Sequence, residues 1–564
     1  MPLPSKSTNM DNNNNQALRI HQSDNVYVAL ADLVPGKDIL ANGNKIHVSE
    51  PIPAKQKFSI SGLKKGEVVR MYGVTVGEVI RNIPAGGLLS RSNIKHKSDG
   101  FVSTDSRYHW DEPDVSPWQG RTFKGFYRSN GSVGTANTWI FVPMVFCENK
   151  NIHVLRDSLN KSLGYEKTTI YQDYAKKLAE MVRNGASEEE LADFEISKLK
   201  SSTPHVNRAF PNVDGIKFLT HNIGCGGTRQ DSNSLCGLLA GYITHPNVAG
   251  ATVLSLGCEN AEVSILKDEV IKRDPEFDKP LLIYEQQKFG SEMDMITSAI
   301  RETIINLSVA NECERKPAPL NKLLIGLECG ASDGFSGISA NPAIGACTDR
   351  LIALGGGAIL SEFPELCGAE QSLVNRCITK EIGDRFIKLM RDYAARAEAV
   401  GSGFDMNPSP GNIRDGLITD AIKSTGAARK GGTSPIVDVL DYPEKVINTK
   451  GLNLLCTPGN DLESTTAMAG SGANLILFST GLGTPTGNPV TPVIKVSTND
   501  KLSNTLSEII DFNTGSIITG NKTVDELGSE LLNLCIDTAS GDYITCTNKM
   551  SQDDFLPWKR GVSL

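Results

Sequence analysis

Six apolar runs in this chain, at residues 139–147, 216–225, 251–258, 323–329, 452–456 and 475–480, each end in a short cluster of Cys, Gly, Asn, Asp or Thr. Continuous apolar segments of this length, followed by Gly-rich turns and separated by helix-like stretches, predict buried parallel strands of an α/β fold. Ligands of open α/β sheets sit outside the carboxyl ends of the strands. The six endings are therefore expected to share one rim and to carry the chemistry, which makes an enzyme the leading reading.

The pattern divides the chain. Residues 18–97 alternate apolar and polar positions between PG, NG, KKG and AGG turns, which predicts a small all-β domain. Residues 98–120 are polar and aromatic, with Pro113 and Pro117, and read as a linker laid across a surface. From residue 121 the pattern becomes α/β with mainly parallel sheets. The charged, Pro-containing stretch at 311–319 separates a first core domain, 121–312, from a second, 318–564. Helices are predicted over 168–184, 187–200, 291–306, 368–400 with an internal break, and 523–539. The Asn-rich residues 1–17 lack the apolar segment of a signal peptide and read as a disordered lead-in.

Composition narrows the class of protein. Hydrophobic content of 39% and charged content of 22% over 564 residues are those of a soluble globular chain, and 53 glycines suit many tight strand-to-loop turns. No segment approaches about 18 uninterrupted apolar residues, so no membrane span is expected, and the protein reads as cytoplasmic. A net charge of −8 speaks against nucleic acid or an anionic membrane as partner. The twelve cysteines form no CxxC pair, which argues against a disulfide framework and a zinc ribbon. The lack of close pairs also argues against an iron–sulfur cluster.

The strand endings hold the candidate chemistry. Residues 220–231, THNIGCGGTRQD, gather His221, Cys225, Arg229 and Asp231 around three glycines. Such a loop can bring backbone N–H groups, a base and a cation to one small anion. Glu259 follows the third run, while Asp333 and Asp461 place carboxylates after the fourth and fifth, where they could ligate a hard divalent cation or exchange protons. Cys225, Cys258 and Cys329, with Asp333, are candidate metal ligands, and the thiols equally fit plain small core residues. Asn412, in the rigid turn NPSPGN, suits hydroxyl recognition. The stretch GLGTPTG at 481–487 lacks the Walker lysine and is not read as nucleotide binding.

Taken together, GFYRSNGSVGTANTWIFVPMVFCEN (125–149), THNIGCGGTRQD (220–231), HPNVAGATVLSLGCEN (245–260), LECGASDGFSGISANPAIG (327–345), NPSPGN (407–412), TPGND (457–461) and STGLGTPTGNPV (479–490) resemble the altronate and galactarate dehydratase family. The all-β segment resembles the SAF domain that precedes the core in those enzymes. The resemblance implies a hydro-lyase that removes water across C2 and C3 of a small anionic sugar acid, with Fe2+, Mn2+ or Mg2+ as cofactor. The carboxyl-terminal block QDDFLPWKRGVSL looks more like altronate than galactarate enzymes, so conversion of D-altronate to 2-dehydro-3-deoxy-D-gluconate is the favoured reaction. Galactarate dehydration, a sulfolactate sulfo-lyase-like reaction and a catalytically lapsed sugar-acid binder are the alternatives, and a homo-oligomer is compatible with each. His221 is then the acid/base candidate, Arg229 the carboxylate clamp, Asp333 and Asp461 the ligand or proton-relay candidates.

Departures from the family pattern qualify these expectations. Where many members carry a GHK-like triplet, this chain has Lys55-Gln56-Lys57, and where they carry an HxHN-like element it has Ser90-Arg91-Ser92-Asn93. Glutamine cannot replace imidazole as a base and is a poor transition-metal ligand. His96 is the nearby candidate substitute. Leu482 stands where other members have Arg, which removes a carboxylate contact.

Overall fold

The structure is a computed structural model that describes residues 16–41, 44–103, 108–167, 169–199 and 208–564, so most of the expected N-terminal lead-in lies outside the described residues. The alternating segments near the N-terminus form β1 (Ala17–Leu18), β2 (Val26–Ala29), β3 (Asp38–Ala41), β4 (Asn44–His47) and β5 (Lys57–Ser59), ordered β4-β3-β1-β2-β5. Next to them β6 (Val68–Met71), β7 (Val74–Val79) and β8 (Ile94–Lys95) form an antiparallel ribbon. Tyr108 then donates to the Thr433 carbonyl at 2.7 Å, Trp110 to Thr433 Oγ1 at 3.1 Å, and Trp118 to Asn533 Oδ1 at 2.9 Å. These aromatic donors hold the connecting segment on the core.

After β9 (Thr122–Tyr127) and β10 (Val133–Gly134), the first parallel sheet contains β11 (Thr138–Pro143), β12 (Gly215–Phe218), β13 (Val248–Ser255) and β14 (Leu281–Glu285) in the order β12-β11-β13-β14. β15 (Lys316–Pro319) returns to pair with β9. The second parallel sheet contains β16 (Leu324–Gly330), β17 (Gly357–Leu360), β18 (Ile436–Leu440), β19 (Gly451–Leu455), β20 (Leu475–Thr480), β21 (Val493–Ser497) and β22 (Phe512–Asn513), ordered β18-β19-β17-β16-β20-β21-β22. All six apolar runs contain strands, yet three fall in each sheet. The strands expected to share one sheet are thus divided between two. One sheet of all these strands would exceed the roughly ten at which strongly twisted open sheets curl or divide.

The helices near 291–306 and 523–539 span Glu292–Ala310 and Val524–Ser540. The break inside 368–400 falls between Glu370–Val374 and Lys380–Ala399, where Thr379 caps the second helix through the Ile382 N–H. The helix at 168–184 spans Ile170–Arg183 behind a Thr169–Gln172 capping box, with residue 168 outside the described residues. The one expected over 187–200 is shorter, Glu188–Ala192 followed by one 3-10 turn at Ile196–Lys198, and residue 200 is not among those described. Its caps are good, but it buries no side chain, and short helices depend on packing rather than propensity. Among the described residues no helix is long and apolar enough to cross a membrane.

Apolar packing fixes the N-terminal β domain on the core. Val26, Val69, Met71 and Val76 share a buried cluster with Phe335, Ile338, Ile418 and Ile422. At the edge of this contact Gly416 has φ +95, and a Cβ there would lie 2.3 Å from the Lys55 carbonyl oxygen. Gly416→Ala should therefore strain the backbone and push the β domain away, at about 1–3 kcal/mol. Faster proteolysis within residues 98–120 is the expected readout, and an unchanged cleavage rate would show that the contact tolerates the methyl group.

Candidate active site

The second sheet delivers a buried, highly charged cluster to its carboxyl-terminal rim. β16 contributes Glu328 and Cys329, and the chain leaving β17 contributes Glu362 and Glu365. Lys423 comes from the helix Asp420–Ala428, Lys430 from the turn after it, and Asp461 opens the helix Asp461–Gly470. Across β16, β20 and β21, Glu328 is in register with Phe478 and Phe478 with Lys495, so alternation places all three on one face. Glu362 adopts the left-handed region at φ +65, a conformation that costs a non-glycine residue about 1–3 kcal/mol and gathers at functional sites.

The charges are paired closely. Lys430 Nζ lies 2.9 Å from Glu362 Oε2, and Lys423 Nζ lies 2.6 Å from Glu365 Oε1. Lys423 also donates to Asn407 Oδ1 at 2.7 Å, while Ser464 donates to Glu328 Oε2 at 2.6 Å and the Cys329 thiol to Glu365 Oε2 at 3.4 Å. Burial, and then the Glu362 charge, push the Glu328 carboxyl well above its usual range. Desolvation pulls Lys430 down, but Cys329, Glu362 and Glu328 outweigh it and keep the ammonium charged. Asp461 is pushed up to about 7, chiefly by desolvation and then by Glu362 and Glu365. Lys495 is pulled down to about 7 by desolvation against the opposing pull of Asp461 and Glu328. Its Nζ has no hydrogen-bond partner and sits 3.1 Å from the Phe478 ring centroid.

This donor set suits a cation. The ligand atoms of Glu328, Glu362 and Asp461 lie within 4.8 Å of one another, as do those of Cys329, Glu362 and Glu365. Glu328 Oε1 and Glu362 Oε1 are buried without a hydrogen-bond partner. Two carboxylates so placed must share a proton or be bridged by a cation. The three-carboxylate set fits Mg2+ or Mn2+, and the set with the thiol fits Fe2+.

The N-terminal domain reaches this rim through the triplet Lys55-Gln56-Lys57. Lys55 Nζ lies 3.0 Å from Asp333 Oδ2 and 3.6 Å from Asp415 Oδ1. Gln56 donates to the Arg414 carbonyl at 2.8 Å, and buried Lys57 donates to the carbonyls of Gly416 at 2.7 Å and Lys55 at 3.0 Å. Desolvation pulls Lys57 down to about 7, with Asp333 opposing. Asp333 is fully buried and also accepts from Thr498 Oγ1 and Ser336 Oγ, each at 3.1 Å. It belongs to an ion pair with the β domain and, among the described residues, to none of the three converging ligand sets. The Asn412 side chain is spent on shape, capping Ser409 and donating to the Ser332 carbonyl at 2.8 Å.

The remaining sequence candidates lie elsewhere. His221 Nε2 is 2.7 Å from the Pro143 carbonyl and its Nδ1 accepts from the Ile223 N–H, so a neutral imidazole with both nitrogens engaged bridges two loops of the first sheet. Desolvation lowers its pKa to about 4. With both nitrogens bonded to backbone, His221 holds loop structure here, and the acid/base role expected from the sequence would require it to release one of them. Asp231 accepts from Thr228 Oγ1 at 2.7 Å and from the backbone N–H groups of Arg560 and Gly561 at 2.8 and 3.1 Å, fastening the carboxyl-terminal tail. Glu259 accepts from Ser255 Oγ, Gly257 N–H and Cys258 N–H at 2.5, 2.7 and 3.0 Å. Arg229, Cys225 and Cys258 are exposed on this first rim, apart from buried Cys329. His96 pairs with Asp420 beside Cys367, where the carboxylate outweighs desolvation and raises its pKa. Leu482 is exposed after β20.

Sequence reading missed Glu362, Glu365, Lys423, Lys430, Lys495 and the Lys55–Asp333 contact. One signal was available, since Lys495 is a charge inside the apolar run VIKVS.

Family models match three stretches of the chain. Residues 15–97 match the altronate/galactarate dehydratase SAF domain, 125–311 the second domain of D-galactarate dehydratase/altronate hydrolase, and 320–563 the C-terminal D-galactarate/altronate dehydratase domain. The altronate dehydratase of Bacillus subtilis (strain 168) is 33% identical over 547 residues, 97% of this chain and 99% of that protein. The altronate dehydratase of Escherichia coli (strain K12) is 32% identical over 97% of this chain and all of that protein. The (2R)-sulfolactate sulfo-lyase subunit beta of Chromohalobacter salexigens is 28% identical over 75% of this chain and 94% of that protein. The chain belongs to the altronate/galactarate dehydratase family.

Proposed function

We propose that this protein is a hydro-lyase that dehydrates D-altronate to 2-dehydro-3-deoxy-D-gluconate at the rim of the second sheet. The observation that carries the reading is Asp461, the least buried carboxylate of the charged cluster, whose pKa of about 7 matches the task of a general base at neutral pH. Loss of water begins with removal of the proton next to the substrate carboxylate, which leaves an enediolate. Asp461 takes that proton. Lys423 and Lys430 oppose the developing charge from positions fixed by their glutamates, and Lys495 Nζ, lacking a hydrogen-bond partner, exchanges protons with the cluster. Glu328 and Glu362, each with one oxygen that lacks a partner, would hold a divalent cation, which when bound supplies Lewis-acid polarisation of a substrate oxygen and leaves Asp461 free as the base.

Lys55 replaces Arg229 as the substrate-carboxylate clamp in this reading. Its ammonium is partly exposed beside buried Asp333, whereas Arg229 stands on the rim of the first sheet. Lys55→Met should raise KM about tenfold or more, the value of roughly 1.5–3 kcal/mol for a charge-assisted bond. Arg229→Ala should leave KM unchanged, and the reverse result would move the site to the first rim. Steady-state assays of altronate, galactarate and sulfolactate with added Fe2+, Mn2+ or Mg2+ test the reaction itself. Turnover of sulfolactate alone would favour a sulfo-lyase, and binding of altronate without turnover would favour a lapsed binder.

Gln56 is the observation that favours this last alternative, since it stands where the family resemblance leads one to expect a His and donates its amide to the Arg414 carbonyl. Gln56→His should raise kcat if an imidazole is simply missing. No gain would leave Asp461 as the working base.

A further inference from the structure

The first sheet gathers three cysteines that the sequence keeps far apart. Cys147, Cys225 and Cys258 are free and exposed, and they follow the adjacent parallel strands β11, β12 and β13. β11 pairs with β13 through Pro143↔Leu254 and with β12 through Phe141↔Phe218. Cys147 lies in the 3-10 turn Phe146–Glu148 after β11, Cys225 in the loop between β12 and the helix Arg229–Thr244, and Cys258 in the turn after β13. Because the three strands are neighbours and parallel, the loops that carry the thiols leave the same edge of the sheet.

Their loops are bonded to one another. The Phe146 N–H donates to the Ile223 carbonyl at 3.1 Å, and the N–H groups of Asn260 and Ala261 donate to the Gly224 carbonyl at 3.1 and 3.2 Å. Gly224 has φ +105, and a Cβ there would meet the Met144 carbonyl oxygen at 2.2 Å, so only glycine lets the Cys225 loop approach the Cys147 loop. His221 and Glu259 lock the same two sides, His221 through the Pro143 carbonyl and Glu259 through the Cys258 N–H. Buried polar groups therefore hold three exposed thiols in place.

We propose that Cys147, Cys225 and Cys258 hold a [4Fe–4S] cluster. Thiolates that share one ion at a metal–sulfur distance of about 2.3 Å cannot be more than about 4.6 Å apart. Among the described residues three ligand sets converge within 4.8 Å, and these thiols are not one of them. A cluster binds each thiolate through a different iron and accepts the wider spacing. Three cysteines leave one iron without a protein thiolate, open to an oxygen ligand. The site belongs to the first sheet and does not rest on the dehydratase reading.

The full-length protein, reconstituted anaerobically with equal amounts of ferrous and ferric iron and with sulfide, should become brown and carry about four irons and four acid-labile sulfides per chain. Cys147→Ser, Cys225→Ser and Cys258→Ser should each lose most of the labile sulfide, while Cys313→Ser keeps it. Because the three thiols are exposed, the serine variants should keep the circular dichroism and thermal midpoint of the metal-free protein. Iron without labile sulfide in the reconstituted protein, or full iron and sulfide in the triple serine variant, would overturn the assignment. Both readouts are independent of turnover, so a cluster in a protein inactive on altronate would support this site and count only against the dehydratase reading.

Discussion

Asp461→Asn should lower kcat on altronate by about 10² to 10⁴, the usual contribution of a positioned general base. The substitution keeps size and shape at the start of the helix Asp461–Gly470, where Asn460 provides the cap by accepting from Leu462 and Glu463 N–H groups. Loss of activity with an unchanged thermal midpoint would therefore report chemistry. The pH profile gives a second, independent readout. Desolvation, Glu362 and Glu365 push Asp461 up to about 7, and a base works in its deprotonated form. The wild-type rate should then rise with pH through about 7. Glu365→Gln removes one of the negative neighbours, which eases ionisation of Asp461 and should move that limb to lower pH. A limb that stays in place would assign it to another group, and an Asp461→Asn enzyme of normal kcat would remove Asp461 from the reaction.

The apolar runs made six strands and the α/β class legible, because a parallel strand buried on both faces writes itself as an uninterrupted apolar stretch. β21 and β17 were not legible for opposite reasons. Lys495 interrupts VIKVS with a charge, and GAIL is too short to stand out. The division into two sheets was also hidden, since no local pattern records which strands become neighbours. Candidate site residues fared unevenly for a related reason. His221, Asp231 and Glu259 are conspicuous because they sit in a polar, Gly-rich loop region, yet each is consumed by hydrogen bonds that shape those loops. Glu362, Lys423 and Lys430 look unremarkable in the sequence and become unusual only when the fold removes water from them. A buried charge is visible as a functional candidate through its surroundings, which the sequence does not state.

Those surroundings also set the largest expected stability effect. Lys430 and Glu362 are each about 1% exposed and 2.9 Å apart, so Lys430→Met would leave a carboxylate without its partner in a site closed to water. Removing one member of such a pair costs about 3–5 kcal/mol, more than the pair itself contributes, because the survivor stays buried. Glu362 can avoid part of that cost by binding a proton. Its folded-state pKa is already raised, by desolvation first and despite the opposing pull of Lys430, and losing Lys430 raises it further. A carboxyl whose folded pKa exceeds its unfolded value binds more protons when folded, so stability falls as pH rises above the unfolded value. The variant should accordingly lose more stability at pH 8 than at pH 5, measured as the free energy of urea unfolding. Glu362→Gln placed on top of Lys430→Met removes the unpaired charge and should recover a large part of the loss, whereas independent sites would make the double variant worse. Equal destabilisation at both pH values, with no recovery in the double variant, would mean that Lys430 matters for packing and that its charge does not hold Glu362.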